Sequence, residues 1–417
     1  MRLALLLVSL SLLQGCIAPA ISNDIATANC ASPIPDTASS LASSNPAFDT
    51  CNDLRTCRSL VGIVASCLAT IFACVWVAVH PNVPGPNQTR KSRYFESFKL
   101  VGVTLLVPEW VLAWAVRQFL QATDQSKLTL NNYHSLCLFT AWTMTHGFLM
   151  IMGGFHSYRG GQPMFPLDAG SVLALVRSRS LVPPTSGELG DRSKGDALSK
   201  TIAILQTFWF VAQCIARHVE NLAITNLEIV TLAYTAITVA MYAAWWHKPL
   251  KVQYPVRVKG DREFVKNTLP FHWVFIIAYV TGNQDQLITL SDEEQVPTFW
   301  SNCTSDLLIL FGDIIALMVA MVFGAVHCAA WSYTFPSLEQ QKMWRVCAIA
   351  IAAIPLPMAG AFAVYNPITS APRKYFEYTI AFFMALRALL YIVARLLLLI
   401  LSLTTLHNLP LSAHQTV

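Results

Sequence analysis

Apolar runs of near bilayer-spanning length recur along this chain, around residues 59–79, 100–120, 134–155, 201–216, 222–244, 306–331, 344–365 and 376–405. A helix crosses a hydrocarbon core with about 20 residues, at roughly 1.5 Å of rise each. Charged residues make up only 12% of the sequence and hydrophobic ones 54%. A soluble domain carries about twice that charge, roughly 25%. The pattern predicts an all-α polytopic transmembrane bundle of eight spans over residues 59–406, with a short tail at 407–417.

The first twenty residues read as a cleavable signal peptide. Arg2 precedes an apolar stretch from Leu3 to Leu13, and Ala18-Pro19-Ala20 supplies small residues for cleavage. Residues 21–58 are rich in Ser, Thr, Asn, Pro and Ala, too polar to form a core, and are expected on the lumenal or extracellular side. Cys30, Cys51 and Cys57 lie there, where disulfides are permitted, and three thiols leave the pairing open.

Basic residues then orient the spans. Loops 80–99, 156–200, 248–305 and 366–375 carry eighteen lysines and arginines. The intervening side has seven: Arg55, Arg58, Arg117, Lys127, Arg217, Lys342 and Arg345. The richer loops are expected to be cytoplasmic, which places both termini outside, in a secretory-pathway or plasma membrane. The apolar run at 271–280 is too short to span and reads as interfacial or re-entrant. The proline- and glycine-containing loop 161–200 reads as a flexible or irregular connection. Trp142, Trp245, Trp246, Trp331, Tyr333 and Trp344 read mostly as interfacial anchors. The net charge of +5 comes from loop residues and does not form a nucleic-acid patch.

Ionisable groups within apolar runs are costly, so each is expected to face the bundle interior with a partner. Glu109 follows Pro108 in the second run, and His146 sits in the third. Asp313 and His327 share the sixth, within about 40° of one helix face but roughly 21 Å apart along it. Glu228 lies beyond a polar turn that contains Arg217 and Glu220, an i,i+3 pair. Arg387 and Arg395 occupy the last run, where snorkelling readily explains one of them. As acid–base candidates these are Glu109, His146, Glu228 and His327, with Arg217 and Asp313 as substrate-binding candidates. Glu109 and His146 are expected to converge, and Glu228 to meet Arg217, His146 or His327. Metal-ligand spacings, nucleophile elbows and phosphate loops are absent from the sequence, and no cofactor is indicated.

Several segments resemble a widespread group of uncharacterised fungal multi-pass membrane proteins. They include Ser66–Trp76 with His80–Pro84, Trp142–Gly147 with Met152–Phe155, and Lys194–Lys200 leading to Gln213–Arg217. Leu227-Glu228, Thr231–Tyr234, Trp245-Trp246-His247-Lys248-Pro249, His327–Trp331 and Phe335-Pro336-Ser337 continue the likeness. The resemblance implies a fungal source and a membrane protein without an assigned activity. It adds weight to Glu228, His146, Arg217 and His327.

The expected function is a membrane-embedded enzyme acting on a lipophilic, lipid- or terpenoid-type molecule through acid–base groups. A transporter or channel would use the same residues to hold a solute or relay protons. A receptor or scaffold would use them to lock helix packing. Membrane lipids and a lipophilic small molecule are the expected partners.

Overall fold

The computed structural model describes residues 57–133, 142–192, 196–250, 252–260, 284–302, 305–333, 335–360 and 374–416. The signal peptide, the polar segment with Cys30 and Cys51, and the run at 271–280 lie outside the described residues.

The architecture is mostly helical. Among the described residues, six helices are long and apolar enough to cross a membrane: Leu60–Ala78, Lys200–Val219, Asn226–Ala244, Asp306–Ala330, Leu338–Gly360 and Phe382–Asn408. A bent pair, Arg90–Leu106 and Pro108–Ser126, would make a seventh if it formed one span. We label the helices α1 (Leu60–Ala78), α2 (Arg90–Leu106), α3 (Pro108–Tyr133), α4 (Met144–Ile151), α5 (Ala169–Arg177) and α6 (Ser186–Arg192). They continue with α7 (Asp196–Val219), α8 (Asn226–Ala244), α9 (Asp306–His327), α10 (Leu338–Ala353), α11 (Lys374–Thr404) and α12 (Leu411–His414).

Two of the expected spans are not single straight helices among the described residues. Residues 134–141 lie outside the described residues, and the described part of the run at 134–155 holds α4, eight residues long. That is roughly 12 Å, far short of a bilayer. Gly153, at φ +80°, then turns the chain into a strand. The run at 100–120 breaks at Val107-Pro108, where the helices bend by 112°. A residue before proline is pushed out of the α region, and Val107 has φ −142° and ψ 66°. Pro108, lacking a donor, begins the next helix without loss.

The fold is also not purely helical. Strands β1 (Phe155–Arg159), β2 (Gln162–Pro166) and β3 (Val256–Lys259) form a sheet in the order β2-β1-β3. β1 pairs antiparallel with β2 and parallel with β3. Gly160 and Gly161, both at positive φ, form the two-residue hairpin turn between β1 and β2. The loop expected to be irregular therefore contains β2, α5 and α6. Phe155, Phe165, Val172, Leu173, Leu189 and Val258 pack in a core of their own beside α4.

Helix α8 is the bundle's axis, packing against α1, α3, α9 and α11. The charge pattern is inside-out, as a lipid environment demands. On α9, Leu307, Phe311, Ile315, Met318 and Val322 are exposed at helical spacing, while Asp313, Phe323, Gly324 and His327 are buried. Residues 57–58 meet the C-terminal residues: Cys57 bridges Gln415, and the Arg58 N–H donates to the His414 carbonyl at 2.6 Å. We call this the tail end. The sheet sits at the other end of α1, where the Val83 N–H donates to the Met152 carbonyl.

Small residues bring membrane helices into contact. A Cβ on Gly324 would lie 2.5 Å from the Ala352 backbone in the helical segment that packs against α9. Gly102 has nothing within 4 Å of its Cβ position. Gly324→Leu should therefore cost about 1–3 kcal/mol through overpacking, whereas Gly102→Leu should be neutral. Thermal unfolding of the detergent-purified variants measures the difference.

Candidate functional site

The buried charges are distributed along the bundle as a ladder of pairs, each joining segments distant in sequence. At the tail end, Glu228 accepts from Arg58 at 2.9 Å. It is also the third residue of a capping box. Its carboxylate accepts the Thr225 N–H at 2.8 Å, and the Thr225 hydroxyl accepts the Glu228 N–H at 3.2 Å. Glu228 thus closes the first turn of α8, and its ionic partner is Arg58, not the expected Arg217, His146 or His327. Arg217 is fully buried and donates to the carbonyls of Ala223, Ser412 and Gln415, at 2.7, 2.9 and 2.7 Å. It fastens the tail and is not satisfied by Glu220, which is exposed.

The next rung is Glu109. Its Oε1 accepts from Arg395 Nη1 at 2.7 Å and from the Tyr391 hydroxyl at 2.6 Å. The Arg395 guanidinium lies over the rings of Phe323 and Tyr234, 4.3 and 5.0 Å from their centroids. Phe323 in turn contacts His327, with 5.0 Å between ring centroids. His327 Nδ1 bonds the Phe323 carbonyl at 2.9 Å, and the His327 carbonyl accepts from the Trp344 indole at 3.1 Å. The Tyr234 hydroxyl donates to the Leu105 carbonyl at 2.5 Å, tying α8 to the end of α2.

Further along α3, Arg117 grips Asp313 with two hydrogen bonds, Nε to Oδ1 at 2.8 Å and Nη2 to Oδ2 at 2.6 Å. Asp313 is thereby neutralised by protein. Breaking one side of such a buried pair costs about 3–5 kcal/mol, while replacing both sides by apolar groups is often neutral. Asp313→Leu alone should destabilise strongly, and the Arg117→Met/Asp313→Leu pair should recover most of the loss. A double-mutant cycle of thermal unfolding tests this.

Lys248, read from sequence as a loop cation, is fully buried. Its Nζ donates to the His80 carbonyl at 2.5 Å and to the side-chain oxygens of Gln118 and Asn82 at 2.8 and 3.4 Å. The indoles of Trp114 and Trp245 face it at 4.5 and 4.6 Å. Three N–H donors meet three oxygens, with aromatic faces closing the cage. Burial pushes the Lys248 pKa well below the usual lysine range. Trp245 and Trp344 are buried hydrogen-bond donors, not interfacial anchors, while Trp246 and Trp331 are exposed.

His146 belongs to a separate region. It stacks on Trp142, bonds the Thr143 hydroxyl at 2.8 Å, and bonds the Pro184 carbonyl at 2.8 Å. Burial lowers its pKa, and the Pro184 bond opposes that shift. Its helix meets α3 at Ala122, where a Cβ on Gly147 would lie 2.6 Å from the carbonyl. Ala122 is thirteen residues past Glu109, roughly 20 Å along the helix. Glu109 and His146 therefore do not share a site. Of the expected acid–base set, the structure links Glu109 and His327 through Arg395 and Phe323. It leaves Glu228 and His146 apart.

Beside His146, at the sheet end, opens a cleft of about 500 Å³. Its polar lining includes Thr143, Thr145, Ser186, Lys200 and His247, and Met144, Leu189, Trp246 and Pro249 supply apolar surface. Among the described residues, no carboxylate side chain lines it. Lys200 also begins the candidate span Lys200–Val219, whose exposed Ile204, Phe208, Ile215 and Val219 continue at helical spacing. A cationic, hydroxyl-lined recess thus adjoins a lipid-facing apolar stripe. Among the described residues, no group of three or more His, Cys, Asp or Glu side chains could hold a metal ion.

Sequence reasoning missed Lys248, Lys200, His247 and the partners Arg58 and Arg117. The Thr225-x-x-Glu228 spacing was the available signal for the capping box. A family model described as a family of unknown function (DUF8562) matches residues 34–275. No curated protein and no solved structure matches the chain.

Proposed function

The chain belongs to this family of unknown function, and from its site we propose a membrane-embedded protein that binds a lipophilic molecule with an anionic head. The observation that carries this reading is the hydroxyl-lined cleft with Lys200 and His247 at its wall, beside the apolar stripe of α7. Lys200 and His247 would receive the head, with the hydroxyls of Thr143, Thr145 and Ser186 as donors. The chain of the ligand would lie along Ile204 and Phe208, facing the bilayer. An enzyme acting on such a molecule would place its acid–base chemistry at His247. Glu109 and Glu228 are already held by arginines, and His327 bonds its own helix.

The proposed membrane arrangement has six crossings and one re-entrant hairpin. α2 starts near Gln253 and Thr298, through Arg93 and Lys99, and ends at Tyr234 in the middle of α8. α3 then returns to Asn82 and Trp300 through Gln118. Both legs of the hairpin thus open toward the sheet end. Losing two adjacent crossings from the expected eight leaves the side of every other loop unchanged. Arg117 and Lys127 join the basic side, which sharpens the charge bias and favours a cytoplasmic sheet end. A cysteine introduced at Ser178 should react with an impermeant maleimide only after permeabilisation, while one at Glu220 should react in intact cells. The reverse pattern overturns the orientation.

Binding is tested in nanodiscs by native mass spectrometry. Protein should retain dioleoyl phosphatidate in preference to dioleoyl phosphatidylcholine. Lys200→Gln and His247→Gln should each weaken retention about tenfold, equivalent to about 1.4 kcal/mol. Inorganic phosphate that competes without lipid would identify a free-anion site. Retention indifferent to both substitutions would reject the cleft.

A further inference from the structure

We propose that the Glu109–Arg395 pair at the hairpin tip is a hydrated site that holds hydroxyl groups, those of water or of a small uncharged solute, inside the bundle. This is independent of the headgroup cleft. Arg395 is the central residue of the candidate span Phe382–Asn408, with thirteen residues on either side. The site is therefore at mid-depth.

Three polar atoms of this pair are buried without a hydrogen bond of good geometry, Glu109 Oε2, Arg395 Nε and Arg395 Nη2, although the hydroxyls of Tyr234 and Tyr391 lie near the guanidinium. The Arg395 side chain is only 3% exposed. An unsatisfied buried polar atom costs about 1–3 kcal/mol, and more when it is charged. In native interiors such atoms are bonded by ordered water or a ligand.

The guanidinium cannot turn to satisfy itself. Nη1 is bonded to Glu109, and Phe323 and Tyr234 flank the group. Its Nε–Nη2 edge is the side that presents two parallel donors to one acceptor. The chemistry of a bound molecule follows from these three atoms. Arg395 Nε and Nη2 can only donate, and Glu109 Oε2 can only accept. A hydroxyl offers two lone pairs and one O–H, and water adds a second O–H. Net charge argues the same way. Glu109 already neutralises Arg395, so an added anion meets the carboxylate and an added cation meets the guanidinium. A neutral hydrogen-bonding molecule meets neither penalty.

The location supports a solute role beyond filling space. Glu109 occupies the first turn of α3, where the helix dipole favours its carboxylate. A broken helix tip at mid-depth with polar groups exposed to one another is how membrane proteins build internal solute sites.

X-ray hydroxyl-radical footprinting of the full-length protein in nanodiscs tests the proposal, because bound internal water oxidises adjacent side chains. Buried Tyr391 and Phe323 should be labelled in the wild type. The Glu109→Leu/Arg395→Met variant removes both charges while keeping similar volume, so it should fold with nearly unchanged thermal stability. Its Tyr391 labelling should fall to the unirradiated control. Native mass spectrometry with added glycerol then identifies the occupant: a glycerol adduct held by the wild type and lost in the double variant assigns a solute hydroxyl, and no such adduct assigns water alone. Absence of Tyr391 and Phe323 labelling in the wild type, or equal labelling in a folded double variant, overturns the site.

Discussion

A charge removed from water must find its counterpart inside the bundle, and this requirement organises the molecule. Glu109 with Arg395, Arg117 with Asp313, and Arg58 with Glu228 join segments separated by 286, 196 and 170 positions. In lipid, apolar surfaces gain little by meeting one another, so packing and polar contacts must select helix partners. Each pair names its helices: α3 with α11, α3 with α9, and the start of α1 with α8. Mispairing would leave an arginine facing hydrocarbon. Ion pairs that add little net stability can still be decisive for arrangement.

The Lys248 cage applies the same rule with uncharged partners. Amide and carbonyl oxygens from three places in the chain converge on one ammonium, and two indoles cover it. It joins α3, the end of α8 and the segment after α1. The caged residue precedes Pro249 and His247 borders the neighbouring cleft, so the recess is built on a rigid floor. Preorganisation of this kind is what a binding site requires.

The membrane class and most crossing helices were legible because composition and run length follow directly from lipid chemistry. The described part of the 134–155 run shows that hydrophobicity reports burial, not conformation. It supplies α4 and the first residue of β1, and Leu149, Met150, Met152 and Phe155 are buried in a protein core beside the bundle. The break after Val107 was signalled by Pro108, but its 112° angle depends on tertiary contacts such as Tyr234 with Leu105. Glu228 was recognised as costly, and its partner was not, because Arg58 lies in a polar segment before the first span. Charge counting treated Lys248 as solvated, although the paired tryptophans before it marked an aromatic environment. Glu109 was legible as an interior charge; the choice of Arg395 over Arg387 required the fold.

The tail contact has a consequence in time. Arg217 takes acceptors from Ser412, Ala413 and Gln415, 195 to 198 positions further along the chain, and Arg58 takes one from Ala413, 355 positions on. Synthesis runs from the amino end, so both arginines are made long before these acceptors. Until α11 and α12 have followed, each must be solvated or held by other groups. This end of the bundle therefore closes only after its latest-made described helices arrive, and the order of synthesis sets the order of assembly.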